Sequence, residues 1–185
     1  MNNSLRLTFL ALVALAGLAT IVSAEQNLPE GSSRREQTHF SIEENPEHVV
    51  TLPEAVLDLL TNDETVVQEK SCVKKMASLG ETRSSLFVAS EVHLDRTEQS
   101  DFVILARACL MGANISPFWI VRKDPRGFRL ILSWSAHDLD VLPTKTRDYH
   151  DLRLTSATAN TISTTICKFD GKKYVSTKRD LEPWP

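Results

Sequence analysis

The sequence predicts an α+β fold that is mostly antiparallel β, with one short N-terminal helix packed on a meander of about eight strands. Two observations carry this prediction. From Ser84 onward, apolar runs of strand length follow one another and are separated by short polar turns. Before them, a single stretch places its apolar residues at helical spacing. Short turns join strands that run in opposite directions, so the predicted sheet is antiparallel.

The first 24 residues are predicted to be a signal peptide. Arg6 precedes an apolar stretch from Leu7 to Val22, and Ala24 is a small residue of the kind that signal peptidase requires. A transmembrane anchor is the alternative, but the stretch is shorter than the about 20 residues of a membrane span. We therefore expect cleavage before Glu25, no membrane anchor afterwards, and a secreted or periplasmic chain.

The composition beyond the signal peptide predicts a single domain. Residues 25–50 contain few apolar residues and are expected to form a flexible leader, 51–178 a single β-rich domain, and 179–185 a tail. The chain has 24 acidic and 21 basic residues, with a net charge of −3. Nucleic-acid binding depends on clustered Lys and Arg, so we predict no nucleic-acid partner.

The predicted helix lies in "TLPEAVLDLLTND". Pro53 suits the first turn of a helix, and Glu54 is favourable at the positive end of the helix dipole. Apolar residues from Val56 to Leu60 form one face, and Asn62-Asp63 ends the helix. The expected role of this face is to pack on the sheet.

The predicted strands are joined by recognisable turns. Asp124-Pro125-Arg126-Gly127 is typical of a β-turn, and Asp170-Gly171 is typical of a two-residue hairpin. The strand segments are "SSLFVASEV", "DFVILARAC", "PFWIVRK", "FRLILSW", "LDVLPTK", "DLRLTSAT", "TISTTICKF" and "KKYVST". Eight such segments in succession predict the meander.

Three cysteines allow three single disulfide pairings in an oxidising compartment. We prefer Cys72–Cys109, because both cysteines lie near predicted strand ends, where two segments can approach each other. Cys167 falls inside a strand pattern and is expected to be a small buried residue.

The stretch "SEVHLDRTEQSDFVILA" has two interpretations, of which the first is a metal site. After the first strand breaks at His93, the side chains of Asp95, Thr97, Glu98 and Asp101 offer oxygen atoms at nearly the spacing of a calcium loop. Calcium takes six to eight oxygen ligands, many of them carboxylates. A purely polar hairpin turn is the other interpretation of the same residues.

The segment "CLMGANISPFWIVRKDPRGFRLILSWSAHDLDVLPTKTRDYHDLRL", followed by "TTICKFDGKKY", resembles a group of uncharacterised small secreted bacterial proteins. Members of that group carry a hairpin loop of the form D-x-N-x-D-G-x-x-D, which is similar to the calcium loops of FG-GAP/VCBS repeats. Aligned on Asp101, this chain places His93, Asp95 and Thr97 at ligand positions and Glu98 at the glycine position. The resemblance implies a degenerate loop in which Asp95, Glu98 and Asp101 bind calcium weakly, and it implies no other cofactor.

Histidine and aspartate residues cluster in two further segments, "SAHDLDVL" and "DYHDLRL". If the adjoining strands pair, their side chains could gather at one edge of the sheet as a metal site or a general base. This hypothesis of a metal-dependent hydrolase rests on His137, Asp138, Asp140, His150 and Asp151. The common hydrolase and nucleotide-binding motifs do not occur in the sequence.

The loop "CLMGANISPFWIV" is the candidate ligand-contact segment. Asn114 lies in a turn-forming stretch, and Phe118 and Trp119 follow it as possible aromatic anchors, although strand alternation directs at least one of them into the core. We predict a non-catalytic domain that binds a protein, an envelope polymer or a small ligand. Its expected mark is an aromatic patch near Trp119 or Trp134 without convergent titratable groups.

Overall fold

Two five-stranded antiparallel sheets and a layer of helices make up the computed structural model, which describes residues 36–97 and 99–183. The predicted signal peptide, the leader before residue 36 and Glu98 lie outside the described residues. The elements are β1 (His39–Ser41), β2 (Val49–Val50), α1 (Glu54–Thr61), α2 (Glu64–Gln68), α3 (Lys70–Ser78), β3 (Phe87–Val92), β4 (Asp101–Ala106), β5 (Ser116–Asp124), β6 (Gly127–Ala136), β7 (Asp138–Thr146), β8 (Tyr149–Ala157), β9 (Thr161–Phe169) and β10 (Tyr174–Pro183). Short 3-10 helices span Arg83–Leu86 and Ala108–Leu110.

The strands form two meanders, one in each sheet. The central sheet has the order β2-β3-β4-β5-β6, and the outer sheet has the order β1-β7-β8-β9-β10. The prediction of a mostly antiparallel β fold is confirmed. The predicted count of eight strands and one helix is wrong, because the eight predicted segments correspond to β3–β10 alone. The short strands β1 and β2 and the helices α2 and α3 were missed.

The central sheet is buried on both faces. On the face toward the outer sheet, Val103 of β4 and Ile120 of β5 belong to the inter-sheet core. On the opposite face, Ile104 and Trp119 pack among helix residues such as Leu60. Every residue of β4 is buried, which explains why "DFVILA" is a continuous apolar run rather than an alternating one.

Asp63 fixes the helix layer to the central sheet. α1 ends at Thr61, as predicted, and Asp63 is the N-cap of α2, where its Oδ1 accepts a hydrogen bond from the Thr65 amide at 3.1 Å. The same oxygen accepts hydrogen bonds from Trp119 Nε1 at 3.0 Å and Ser133 Oγ at 3.2 Å. One carboxylate therefore caps a helix and satisfies the indole N–H of a fully buried tryptophan.

The predicted Cys72–Cys109 disulfide is confirmed, with Cα atoms 5.7 Å apart and a sequence separation of 37. Its predicted location is wrong for Cys72, which lies in α3 rather than near a strand end. Cys167 is free and buried in the inter-sheet core. Burial raises the pKa of its thiol to about 11, so Cys167 stays protonated and unreactive at neutral pH.

Both ends of the predicted domain differ from the structure. Residues 36–50 were expected to be flexible, but they contribute β1 and β2, and Phe40 is buried in the inter-sheet core. β10 extends to Pro183, through most of the predicted tail. A strand of two or three residues shows no periodicity, so its strand character comes from pairing: β1 pairs with β7, and β2 with β3.

The two predicted hairpin turns have different outcomes. Pro125 and Arg126 join β5 to β6, and Gly127 has the positive φ of 124° that favours glycine. The loop between β9 and β10 has four residues, 170–173, rather than the predicted two. Asp170 holds it closed, because its Oδ1 accepts hydrogen bonds from the amides of Lys172 and Lys173 at 2.7 and 2.8 Å.

Among residues 36–97 and 99–183, no helix has the length and apolar character to cross a membrane.

Candidate functional site

The hairpin predicted to bind metal contacts the largely buried guanidinium of Arg122. Asp101 of β4 is the direct cross-strand partner of Arg122 on β5. Arg122 Nη2 donates to Asp95 Oδ2 at 2.9 Å, and the two side chains are only 15% and 7% exposed. The loop therefore places two carboxylates beside one fixed positive charge.

Two tyrosines of the outer sheet complete the surroundings of Arg122. The guanidinium carbon lies 4.7 Å from the centre of the Tyr149 ring, and this ring stacks on Phe169 at 3.9 Å. The Tyr174 hydroxyl donates to the carbonyl of His150 at 2.8 Å. Burial, together with the nearby carboxylates, raises the pKa of Tyr174, so its hydroxyl stays protonated.

The oxygens of Asp95 are occupied within the protein. Its Oδ1 accepts hydrogen bonds from the amide and the hydroxyl of Thr97 at 2.8 and 2.6 Å. Although partial burial raises the pKa of Asp95, these bonds and Arg122 outweigh it and lower the pKa overall. Asp95 is therefore an ionised partner of Arg122 and a turn residue.

The remaining residues at predicted metal-ligand positions are His93 and Glu98. His93 Nδ1 lies 3.2 Å from Glu36 Oε1, and the His93 amide also donates to that oxygen. Glu98 is outside the described residues. In the part of the chain that the structure describes, no three His, Cys, Asp or Glu side chains are grouped so that they could hold a metal ion.

Asp101 is a buried carboxyl whose pKa lies well above its ordinary range. The residue is 2% exposed, and burial raises the pKa of its carboxyl to about 6, against an opposing effect of Arg122 and with a further increase from Asp95. The Leu94 amide donates to this carboxyl and favours its ionised form. Asp101 thus titrates near neutral pH.

We expect the effect of Asp101→Asn on the free energy of unfolding to be more favourable at pH 7 than at pH 4. The folded chain holds the Asp101 proton more tightly than the unfolded chain does. The stability from that proton is present below pH 4 and is lost as the pH rises through about 6. The difference in unfolding free energy between variant and wild type should therefore shift in favour of the variant by up to about 3 kcal/mol over this interval.

Urea unfolding at several pH values measures this difference. Glu91→Gln, at an exposed position of the neighbouring strand β3, is the control and should show little change with pH. A difference between Asp101→Asn and wild type that stays constant from pH 4 to pH 7 would contradict the raised pKa.

The five side chains of the hydrolase hypothesis do not converge. β7 and β8 pair, as the hypothesis requires, but they run antiparallel: Asp138 lies opposite Thr155, and His150 lies opposite Lys145. Residues at the start of β7 are thus at one end of the hairpin, and residues at the start of β8 are at the other. The strand direction separates the two groups.

Four of these five side chains have local polar contacts instead. His137 Nδ1 lies 3.0 Å from Asp138 Oδ1, and Asp140 contacts His39 at 2.8 Å and Arg153 at 3.0 Å. The His150 ring donates to the carbonyl of Leu142 at 2.5 Å. Asp151 is buried, and its Oδ1 has no hydrogen-bond partner in the described part of the chain.

Two of the three predicted ligand-contact residues are inaccessible. Phe118 is fully buried in the inter-sheet core, and Trp119 is fully buried against the helices. Adjacent strand residues point to opposite faces, and both faces of the central sheet are covered, so neither ring can reach a ligand. Asn114 is exposed. In the same loop, a Cβ on Gly112 would lie 2.0 Å from the carbonyl oxygen of Ile115, so this turn requires glycine.

A cleft of about 380 Å³ opens at the end of the inter-sheet core opposite Arg122. Trp134 of β6, a half-buried residue, forms an aromatic wall, and Ile115 and Leu181 add apolar surface. Six hydroxyl side chains line the rest: Ser135, Ser156, Thr158, Thr161, Ser163 and Thr165. Among the described lining residues, Arg179 is the single charged one.

Most hydroxyls of this cleft, which we call the Trp134 cleft, are unengaged. Arg179 Nε donates to Ser163 Oγ at 2.9 Å, and Thr158 Oγ1 donates to the Thr161 carbonyl at 3.3 Å. The other four hydroxyls make no side-chain hydrogen bond within residues 36–97 and 99–183. They are those of Ser135, Ser156, Thr161 and Thr165. Thr165 is buried, so the hydroxyls of Ser135, Ser156 and Thr161 are the donors and acceptors that the cleft offers to a ligand.

A larger and more open depression of about 690 Å³ lies on the outer face of the outer sheet. Lys145, Lys168 and Lys178 line it, together with the buried Asp151, and no aromatic side chain does. Small-molecule sites are concave and often have aromatic lining, whereas this depression is open and has no aromatic wall. The Trp134 cleft is the better candidate.

Sequence reasoning found Trp134 but missed Arg122 and Arg179. Arg122 shares the inward-facing strand positions of Phe118 and Ile120, so the alternation of "PFWIVRK" already indicated a buried charge. Arg179 was assigned to the tail. The serine and threonine residues of "TSATANTISTT" were the available signal for a hydroxyl-lined surface.

No protein-family model, curated protein or solved structure matches the chain. The class of protein is therefore defined by the fold and the site alone: a helix-backed, antiparallel two-sheet domain with a disulfide and an end cleft.

Proposed function

We propose that this protein is a non-catalytic, secreted or periplasmic domain that binds a small ligand in the Trp134 cleft. The observation that carries the proposal is the cleft itself: its volume of about 380 Å³ falls within the range of ligand pockets. An aromatic wall and unengaged hydroxyls supply the apolar surface and the orienting polar groups that such pockets combine.

The chemistry of the lining supports binding rather than catalysis. Arg179 is the single titratable side chain among the described lining residues, and a guanidinium stays protonated in proteins. General acid–base catalysis needs a group that exchanges a proton near the working pH. The serine and threonine hydroxyls have no histidine or carboxylate in the described lining to activate them.

The proposed location is supported by the Cys72–Cys109 disulfide, because disulfides persist in oxidising compartments. It also rests on the signal peptide predicted at residues 1–24.

We also propose that the hairpin from His93 to Asp101 is a degenerate calcium-type loop, as the resemblance implies. The support is the position of Arg122, whose guanidinium contacts Asp95 and is the cross-strand partner of Asp101. In this proposal, an internal cation supplies the positive charge that a bound metal ion supplies in an intact loop.

The test of the cleft is a ligand screen with a blocking variant. The full chain is melted in the presence of sugars, sugar acids, amino acids and aliphatic acids. A ligand at a hundred times its dissociation constant adds about 2.7 kcal/mol to the folded state. We expect stabilising compounds, and we expect Ser156→Phe, which places a ring in the cleft, to abolish their effect.

Thr155→Phe is the matched control, because it lies on the same strand and faces the opposite side of the outer sheet. It should bind like wild type. The proposal is overturned if no compound stabilises the chain, or if Ser156→Phe retains every stabilising effect.

A further inference from the structure

The lining of the Trp134 cleft points to one class of ligand: we infer that it binds a sugar ring that carries a carboxylate. This inference rests on the proposed function, and it adds the chemistry that would distinguish one small molecule from another. Three features carry it, namely the hydroxyls, the aromatic wall and the isolated arginine.

The hydroxyls favour a ligand that is itself rich in hydroxyl groups. Each serine or threonine hydroxyl donates one hydrogen bond and accepts others, as each sugar hydroxyl does. A hydrocarbon ligand would remove the unengaged hydroxyls, such as those of Ser135 and Ser156, from water without replacing their hydrogen bonds. Leaving such groups unpaired is costly, so the lining selects against an apolar ligand.

The aromatic wall favours a ring over a small inorganic anion. Trp134 offers a flat apolar surface, and Ile115 and Leu181 extend it. A pyranose ring combines C–H groups on its faces with hydroxyls on its rim, so it can contact the indole and the hydroxyls at the same time. A phosphate ion has no apolar surface to place against Trp134.

Arg179 favours a negative charge on that ring. Its Nε is fixed by Ser163 at 2.9 Å, and no carboxylate lies within ion-pair distance of its guanidinium in the described part of the chain. The remaining N–H groups of the guanidinium form a planar fork that matches a carboxylate. No Asp or Glu is among the described lining residues, so a cationic ligand would have no partner there.

The experiment compares glucuronate and galacturonate with glucose and galactose by calorimetry, on the full chain and on Arg179→Gln. We expect the acids to bind wild type about tenfold more tightly than the neutral sugars, as a charge-assisted hydrogen bond at a partly exposed site would give. Arg179→Gln should lower the affinity for the acids to that for the neutral sugars measured on the same variant, so that the preference disappears. Arg179→Lys should restore part of it.

Arg153→Gln is the control, because it removes an exposed arginine of the outer sheet that does not line the cleft. It should keep the full preference for acids. A short oligosaccharide of glucuronate, tested beside the monosaccharide, separates the two sources of this chemistry: tighter binding of the oligosaccharide indicates a polymer, and equal binding indicates the free sugar acid.

Each failure has its own pattern. Equal affinity of wild type for acidic and neutral sugars overturns the role of Arg179. Binding of aliphatic acids without binding of any sugar overturns the role of the hydroxyls. In both cases Ser156→Phe would still block binding, and the proposed function would stand. If no compound of any class binds, the proposed function itself fails.

Discussion

Replacing Arg122 with glutamine is expected to destabilise the protein by about 3–5 kcal/mol, the cost of breaking a buried ion pair from one side. The substitution keeps a side chain of moderate length but removes the charge that Asp95 contacts at 2.9 Å. The side chain of Asp95 is 7% exposed, so water has little access to replace the lost partner. Urea unfolding at pH 7 measures the loss.

Asp101 adds to the expected effect. In wild type, the positive charge of Arg122 opposes the increase in the Asp101 pKa that burial causes. Without Arg122, Asp101 should take up a proton at a higher pH, and the loss of stability in the variant should be smaller at pH 5 than at pH 8. The variant also loses the contact of the guanidinium with the Tyr149 ring.

Arg153→Gln is the matched control for Arg122→Gln. Its guanidinium contacts Asp140 at 3.0 Å but is 47% exposed. Exposed ion pairs contribute at most about 1 kcal/mol, so this variant should stay close to wild type. Equal losses in the two variants would show that the hairpin does not depend on a buried charge.

Millimolar calcium provides a second readout on the same proteins. If the hairpin is a degenerate calcium-type loop in which Arg122 replaces the ion, calcium should raise the melting temperature of Arg122→Gln more than that of wild type. A ligand that binds only the folded state stabilises it by mass action. Identical melting curves with calcium and with EDTA in the variant would count against that proposal.

The local features of the strands were predictable from the sequence. The hairpin between β5 and β6 follows from Pro125 and Gly127, whose backbone preferences fit the observed turn. β4 and β5 are long apolar runs, and the structure buries them on both faces. Alternation also places Asp101 on the same face as Val103, so the inward position of a carboxyl was visible in the sequence.

The division into two sheets was not predictable from the same signals. Only His137 separates β6 from β7, and no glycine or proline marks the point where the chain passes from the central sheet to the outer sheet. That division decides which side chains meet. The histidine and aspartate residues of the hydrolase hypothesis occur in two similar segments, one at the start of β7 and one at the start of β8. Because these strands run antiparallel, the two segments lie at opposite ends of the hairpin.

The Trp134 cleft depends on this division as well. Most of its lining comes from β6 of the central sheet and from β8, β9 and β10 of the outer sheet, and the loop residues Ile115 and Thr158 complete it. Trp134 was a candidate from the sequence as part of an expected aromatic patch. The proximity of Arg179 to Trp134 could not be predicted from the sequence. The pairing of β10 with β9 contains a register shift between Ser176 and Lys178, and this shift decides which face of the sheet Arg179 lies on.

Removal of the Cys72–Cys109 disulfide, by alanine at both positions, is expected to destabilise the protein by about 4 kcal/mol. The bond closes a loop with a sequence separation of 37, and the chain-entropy cost of such a loop lies between the values for short and long loops. α3 depends on this bond more than α1 does. Cys72 is the one buried residue of α3, whereas α1 buries Val56, Leu57 and Leu60.

Urea unfolding with and without a reducing agent tests this expectation. Reduced wild type should unfold at a urea concentration close to that of the double alanine variant, because both lack the same loop closure and the variant additionally loses only the packing of the buried Cys72 sulfur. Cys167→Ala is the control: it lowers stability through a core cavity, but it should keep the full sensitivity to reductant, since Cys167 is free. If reductant does not change wild type, the bond is not formed in solution, and α3 must be held by its contacts with the central sheet alone.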